Sequence, residues 1–156
     1  MFILGYKGDP DTEEILKKIR RVEKTENIKI ETKNILYGKY SSSKAKDCLA
    51  KYIEANGLDF TAVYAHSFKM IQGVYELFFE RKIAIPDDIS VIGTSHDASN
   101  TILYPPLTFL ERPYYDVGRL AVEELVHKIE KGGTTVKREI DSSLIIQDST
   151  KYYSKI

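Results

Sequence analysis

Residues 60–93, "FTAVYAHSFKMIQGVYELFFERKIAIPDDISVIG", contain the pattern that decides the fold of this chain. A short apolar run at 60–65 is followed by a segment whose apolar residues recur every three or four positions, and a second apolar run follows at 89–92. Short apolar runs bounded by turn residues predict buried strands, and the longer period predicts a helix over about 67–82. The stretch therefore predicts a strand, a helix and a strand, the unit from which parallel sheets are built.

The same alternation continues toward the N-terminus. Residues 2–6 and, with less regular patterning, 28–36 are predicted strands. The helix between them has acidic residues in its first turn, and Asp11 is expected to cap it. A second helix follows the loop "GKYSSSK" and is expected to end at Asn56-Gly57, because glycine suits the conformation that commonly follows a helix.

Toward the C-terminus the pattern predicts a short strand at 107–110, a helix from Pro113 to Gly132 and a last, partly alternating strand at 136–146. The final residues, "DSTKYYSKI", are expected to be frayed or to face solvent. Together these elements predict an α/β fold with a doubly wound, mainly parallel sheet and helices on both faces.

Composition narrows the class of protein. The chain has 156 residues, enough for one domain, and its 23 basic and 23 acidic residues give a formal net charge of zero. The balance predicts no general attraction to nucleic acid or to anionic membranes. A single cysteine excludes an intramolecular disulfide. No apolar run could span a membrane and the first residues do not resemble a signal peptide, so a cytoplasmic location is expected.

Parallel sheets bind ligands at the carboxyl ends of their strands. Those ends are predicted at residues 8–11, 37–41, 65–68 and 93–97. The candidate ligand-contacting side chains at these ends are Asp9, Tyr40, His66, Ser67, Ser95 and His96. The ring of Tyr40 is suited to stacking on a sugar or a heterocycle, although packing against the following helix is an equally good explanation.

The stretch "GTSHD" at 93–97 also raises the alternative of an enzyme. Ser95, His96 and Asp97 are consecutive, and consecutive residues of an extended chain point in alternating directions, so they cannot form a catalytic relay among themselves. A hydrolase that also uses His66 remains the alternative function. No zinc-ligand spacing and no glycine-rich nucleotide motif are present, so no metal and no cofactor are expected.

Three segments resemble the effector-binding domain of LacI/GalR family transcription regulators: "IPDDISVIG" (85–93), "YPPLTFLERP" (104–113) and "YDVGRLAVEEL" (115–125). The resemblance implies a type I periplasmic-binding-protein-like fold, of which this chain is essentially one lobe. Residues 1–149 correspond to the C-terminal lobe, including a crossover segment at 107–132, and 150–156 form a tail. The "PPLT" segment favours the regulators over the related periplasmic solute-binding proteins, which remain a second alternative.

The resemblance also implies partners. A small-molecule effector is expected, with a carbohydrate or a derivative as the candidate, and DNA is expected to be bound only through an N-terminal domain that this sequence lacks. Half of the ligand cleft is expected to be missing, so the chain alone should bind effector weakly or undetectably. The apolar face of the predicted helix at 113–129 would lack its usual lobe, which predicts a homodimer, with exchange of this segment between chains as one possible form.

Departures from the family pattern bear on the ligand. The family usually has Asn-Asp after the third strand, where this chain has His66-Ser67, and an aromatic residue followed by Asp-Asp after the fourth, where it has Thr94-Ser95-His96. An arginine that often clamps sugar hydroxyls is replaced by Ile15, whereas Tyr40 matches the aromatic stacking position. Losing these fixed charges predicts a less polar or an anionic effector in place of an ordinary hexose.

Overall fold

The computed structural model describes residues 1–95, 102–133 and 137–152, and within them six strands form one sheet in the order β2-β1-β3-β4-β5-β6. Strands β1 to β5 run parallel, and β6 pairs antiparallel with β5. The elements are β1 (Phe2–Leu4), α1 (Pro10–Thr25), β2 (Ile35–Tyr37), α2 (Ser42–Asn56), β3 (Ala62–Ala65), α3 (Phe68–Arg81), β4 (Ser90–Ser95), β5 (Thr108–Glu111), α4 (Tyr114–Lys131) and β6 (Ser143–Ile145). The predicted doubly wound α/β fold is confirmed.

Alternating side chains of each strand supply two hydrophobic clusters, one on each face of the sheet. On one face Ile3 packs with α2 and α3 in the main core, where Leu49, Met70 and Phe78 are fully buried. On the other face Leu4 packs with Ile19 of α1 in a smaller cluster. The two faces are therefore covered unequally.

Helices α2 and α3 approach each other closely at Gly73. A Cβ atom at this position would lie 2.2 Å from the carbonyl oxygen of Ser42, far inside van der Waals contact. The absence of a side chain therefore sets how closely α3 can lie against the first turn of α2.

Helix α1 begins two residues earlier than predicted. Asp9, not Asp11, is its N-cap, and its side chain accepts a hydrogen bond from the backbone N–H of Thr12 at 3.4 Å. Pro10 explains the start, since proline lacks an N–H and its fixed φ suits the first helical position.

The predicted second strand at 28–36 is wrong over most of its length. Residues Thr32–Asn34 form a 3₁₀ turn, and β2 contains only Ile35–Tyr37. Side chains of α1 form hydrogen bonds with the backbone of Ile30. The N–H of Ile30 donates to Glu23 at 2.7 Å, and the carbonyl of Ile30 accepts from Arg20 at 3.1 Å. Those backbone groups are consequently not available for a sheet ladder.

The prediction that residues 148–156 are frayed or face solvent is wrong at Ser149, although Asp148, Lys151 and Tyr152 are exposed. Ser149 is fully buried, and its Oγ donates to the carbonyl of Val91 at 2.6 Å and accepts from the N–H of Thr108 at 2.7 Å. Its backbone bonds Val91 and Pro106 as well. Residues 149 and 150 therefore join β4 to β5, while 153–156 lie outside the described residues. The last strand, predicted at 136–146, contains only Ser143–Ile145, and residue 136 of the predicted span is likewise outside the described residues.

Helix α4 has no buried residue. Its large apolar side chains are exposed, and Tyr115 and Ile129 retain 83% and 75% of their accessible surface. The exposed apolar stripe expected for this helix is confirmed. Within the described part of the chain, no helix is both long and apolar enough to cross a lipid bilayer.

Candidate functional site

A small cavity of about 190 Å³ lies where the parallel strands end. The residues that line it are Asp11, Tyr40, His66, Ser67, Phe68, Thr94, Ser95, Arg112 and Tyr114. The structure thus brings together four of the six candidate residues. Asp9 reaches the group through Tyr40, and His96 and Asp97 lie outside the described residues.

A second cavity, of about 470 Å³, adjoins the first on the α1 side of the sheet. Its walls are mainly apolar, and Ile15, which stands where the family often has an arginine, is one of them. The two cavities share His66, Thr94 and Arg112. We take the smaller one as the candidate ligand site, because polar side chains from several elements converge there.

A chain of hydrogen bonds fixes the protonation of His66. Nη2 of Arg112 lies 3.2 Å from His66 Nε2, and the hydroxyl oxygen of Tyr64 lies 3.0 Å from Nδ1. Because a guanidinium is a donor only, Nε2 must accept, and the proton of the neutral ring is on Nδ1 and points at Tyr64. The hydroxyl of Tyr64 is also hydrogen-bonded to the hydroxyl of Thr94, at 3.0 Å.

Electrostatics favour the same neutral ring. Burial first, and then the positive charge of Arg112, lower the pKa of His66 from 6.5 to about 4. The side chain is only 5% exposed. Since both ring nitrogens are engaged by Arg112 and Tyr64, neither is free to act as a base toward Ser95, which weighs against the hydrolase alternative.

Tyr40 is held by contacts that shape the site wall. Its hydroxyl donates to the carboxylate of Asp9 at 2.6 Å, and this hydrogen bond is the main cause of the lowered pKa of Asp9. The residue has a left-handed backbone, with φ of 55°, and its ring occupies the space that a side chain at Gly5 would need. The ring therefore has a defined position at the crevice.

Two candidate residues have structural roles at helix ends. Asp9 caps α1, and Ser67 caps α3 by accepting a hydrogen bond from the N–H of Met70 at 3.4 Å. Ser95 ends β4, and its carbonyl accepts from the N–H of Arg112 at 3.2 Å. Capping fixes the position of both helix N-termini beside the cavity.

Arg112 and Tyr64 belong to this site but are not among the residues predicted from the sequence. Arg112 directly follows β5, so the carboxyl-end rule applied to the fifth strand would have found it. Tyr64 lies inside β3, two residues before His66 and therefore on the same face of the strand. No metal site is indicated: the described ranges contain no group of three His, Cys, Asp or Glu side chains able to hold an ion.

Comparison with known proteins places this chain in a family. Residues 2–150 match the model of the periplasmic binding protein-like domain. The ribose operon repressor of Escherichia coli (strain K12) is 34% identical over 68 residues, which are 44% of this chain and 21% of the repressor. The HTH-type transcriptional repressor PurR of Histophilus somni (strain 2336) is 30% identical over 126 residues, which are 80% of this chain and 38% of the repressor.

The fold is similar to that of transcription regulator CcpA of Lactococcus lactis, with a TM-score of 0.84 and 22% identity over 96% of this chain and 55% of that one. The chain spans less than half of the length of the two repressors and about half of that solved structure. The family match, the repressor relatives and the shared fold agree with one another. The chain therefore belongs to the family of periplasmic binding protein-like domains of LacI-type transcription regulators.

Proposed function

We propose that this chain is the non-catalytic, effector-sensing part of a LacI-type transcription regulator. One observation carries the proposal: Tyr40, His66, Ser67 and Ser95 converge on a cavity at the carboxyl ends of the strands, the place where such sheets bind ligands. The engaged nitrogens of His66 support a binding role over a catalytic one.

The effector that suits this cavity is a small hydroxylated molecule of the carbohydrate class. Hydroxyl, imidazole and carboxylate groups line it beside the ring of Tyr40, and a relative is named a ribose operon repressor. Effector binding would alter the affinity of the regulator for DNA through a difference in affinity between two conformations. DNA contact is assigned to another domain of the regulator, and this role implies a cytoplasmic location.

We assign residues 1–149 to the C-terminal lobe of the effector-binding domain, with the segment 107–132 crossing away from it. The absence of any buried residue in α4 supports that assignment. The exposed stripe of α4 supports association of two copies as a homodimer.

The proposal is tested by titrating the ¹⁵N-labelled chain with ribose and recording amide chemical shifts. The cavity is smaller than the roughly 300–1,000 Å³ of ordinary ligand pockets, so a dissociation constant of about 1 mM or weaker is expected. The chemical-shift changes caused by ribose should cluster at the four converging residues, and these changes should disappear in Tyr40→Leu. The matched control Tyr104→Leu changes a tyrosine that is 91% exposed and should keep them.

Shifts spread over unrelated surface would contradict the assigned site. Hydrolysis of a small ester by the chain, abolished in Ser95→Ala with folding intact, would instead support the enzyme alternative.

A further inference from the structure

We infer that the effector carries an anionic group, a phosphate or a carboxylate, on a hydroxylated body, and that the guanidinium of Arg112 binds this group. The inference rests on the proposed function and names the chemistry of its ligand. It depends on the partners of Arg112, on the helix that faces the same cavity and on the placement of the acidic residues.

Arg112 differs from other arginines of the chain in its partner. Four arginines pair with carboxylates: Arg20 with Glu23, Arg81 with Glu54, Arg119 with Glu123 and Arg138 with Glu124. Arg112 instead donates to the neutral imidazole of His66, and no carboxylate within the described ranges lies at ion-pair distance from it. A half-buried guanidinium that lines a cavity and has only a neutral imidazole as its side-chain partner among the described residues is suited to recognising an anion.

His66 holds the guanidinium without neutralising it. One of the five N–H donors of Arg112 is used by Nε2, which leaves donors for a bidentate contact with phosphate or carboxylate oxygens. The imidazole is in turn held by Tyr64, and the hydroxyl of Tyr64 is hydrogen-bonded to Thr94, so the group that orients Arg112 is itself fixed. The positive charge therefore has a defined position at the cavity wall.

The N-terminus of α3 adds positive potential at the same cavity. Ser67 caps this 14-residue helix, and Ser67 and Phe68 both line the cavity. Unpaired N–H groups and the helix dipole favour an anion at such an end. The helix end and the guanidinium thus act in the same direction.

Acidic groups at the far side of the sheet indicate that the ligand is not a bare anion. Asp11 lines the cavity from the start of α1, after β1, whereas Arg112 follows β5. Strands β3 and β4 separate β1 from β5, which puts the two backbones about 14 Å apart. Asp9 lies near Asp11 and is bonded by Tyr40. Carboxylates there repel an anion but accept hydrogen bonds from hydroxyl groups, so a sugar phosphate or a sugar acid satisfies both sides.

The test compares ligands that differ by one group. The ¹⁵N-labelled full chain is titrated separately with ribose, ribose 5-phosphate, ribonate and inorganic phosphate at constant ionic strength. We expect ribose 5-phosphate or ribonate to bind roughly tenfold tighter than ribose, since a charge-assisted hydrogen bond is stronger than a neutral one. Inorganic phosphate should bind more weakly than the better of the two anionic sugars, and whichever of these is tighter identifies the group.

Variants locate the effect at Arg112. Arg112→Gln keeps a donor for His66 but removes the charge, so it should abolish the difference in affinity between the anionic sugar and ribose. Arg119→Gln removes an equivalent charge from exposed α4 and should retain the advantage. Folding of each variant is checked from the dispersion of the same spectra.

Each contrary result has a distinct meaning. Equal affinity for ribose and both anionic sugars would overturn this inference and leave the proposed function standing. Inorganic phosphate binding as tightly as the sugars would also overturn it, because the hydroxylated body would then play no part. An equal loss of ribose and anionic-sugar binding in Arg112→Gln would show a structural role only. No binding of any of the four would overturn both proposals.

Discussion

At the residue scale, His66 makes stability depend on pH. Its pKa is about 4 in the folded chain, against 6.5 in an unfolded one, because burial and Arg112 disfavour the charged ring. The unfolded state therefore binds more protons between these values. The neutral ring's contribution is fully present above about pH 6.5 and decreases as the pH falls toward 4.

We therefore predict that His66→Gln flattens the pH dependence of unfolding. Glutamine can still accept from Arg112 and donate to Tyr64 but cannot titrate. Relative to this variant, the wild-type chain should lose about 2 kcal/mol of unfolding free energy between about pH 7.5 and pH 5. Urea denaturation of both proteins at the two pH values measures the difference.

Thr94→Val is the matched control for this experiment. It removes the hydroxyl that is hydrogen-bonded to Tyr64 and leaves the imidazole in place. Relative to the wild type, the unfolding free energy of this variant should be lower by a similar amount at both pH values. If His66→Gln and the wild type lost stability in parallel, the imidazole would be titrating normally and its assigned environment would be wrong.

The candidate site was partly predictable at this scale. The strand-end rule selected Tyr40, His66, Ser67 and Ser95, which do meet at one cavity, because backbone order alone determines which strand ends share an edge. It could not show that Ser67 and Asp9 are helix caps or that His66 bonds Arg112, 46 positions along the chain. Such pairings depend on side-chain direction in the folded state.

At the element scale, Gly73 makes the close packing of α2 and α3 possible. We predict that Gly73→Ala destabilises the chain by about 2 kcal/mol, because the new methyl would meet the backbone of Ser42 and the helices would have to separate. This cost outweighs the gain in helix propensity of about 1 kcal/mol. Thermal and urea denaturation of the variant measure the change.

Gly118, in α4, is the matched control. It is also a helical glycine, but a Cβ atom there would meet nothing within 4 Å. Gly118→Ala should therefore show only the propensity gain and leave the chain unchanged or slightly more stable. Equal effects of the two alanines would mean that α2 and α3 are not in close contact.

The sequence predicted which helices and strands are present better than it predicted where each begins and ends. Helix α3 lies at 68–81 against a prediction of about 67–82, because its apolar period is regular and Ser67 is a strong cap. The second strand is shorter than its predicted span because side chains of α1 form hydrogen bonds with the backbone of Ile30. The prediction of a solvent-facing tail was wrong at Ser149, because this residue bonds residues 41 and 58 positions away and no local pattern reveals such contacts.

At the scale of the whole molecule, the described residues leave apolar surface uncovered beside α1 and along α4. The α1 side of the sheet has the 470 Å³ cavity with mainly apolar walls, and α4 exposes a stripe that includes Val122, Leu125 and Ile129. Exposed apolar surface of this extent is typical of a binding surface. If two copies exchanged α4, the apolar stripe of α4 from each copy would pack against the apolar cavity of the other, and both surfaces would be covered.

We accordingly predict that the chain forms a homodimer through α4. Size-exclusion chromatography with light scattering should give twice the 17.9 kDa of one chain at high concentration, with dissociation on dilution. Ile129→Glu places a charge in the apolar stripe, where burial without a partner is costly, and should shift the equilibrium to monomer. Glu130→Gln changes the neighbouring exposed position and should leave the dimer intact, since its side chain lies beside the stripe. A monodisperse monomer at high concentration would contradict the prediction, and a dimer unaffected by Ile129→Glu would place the interface away from α4.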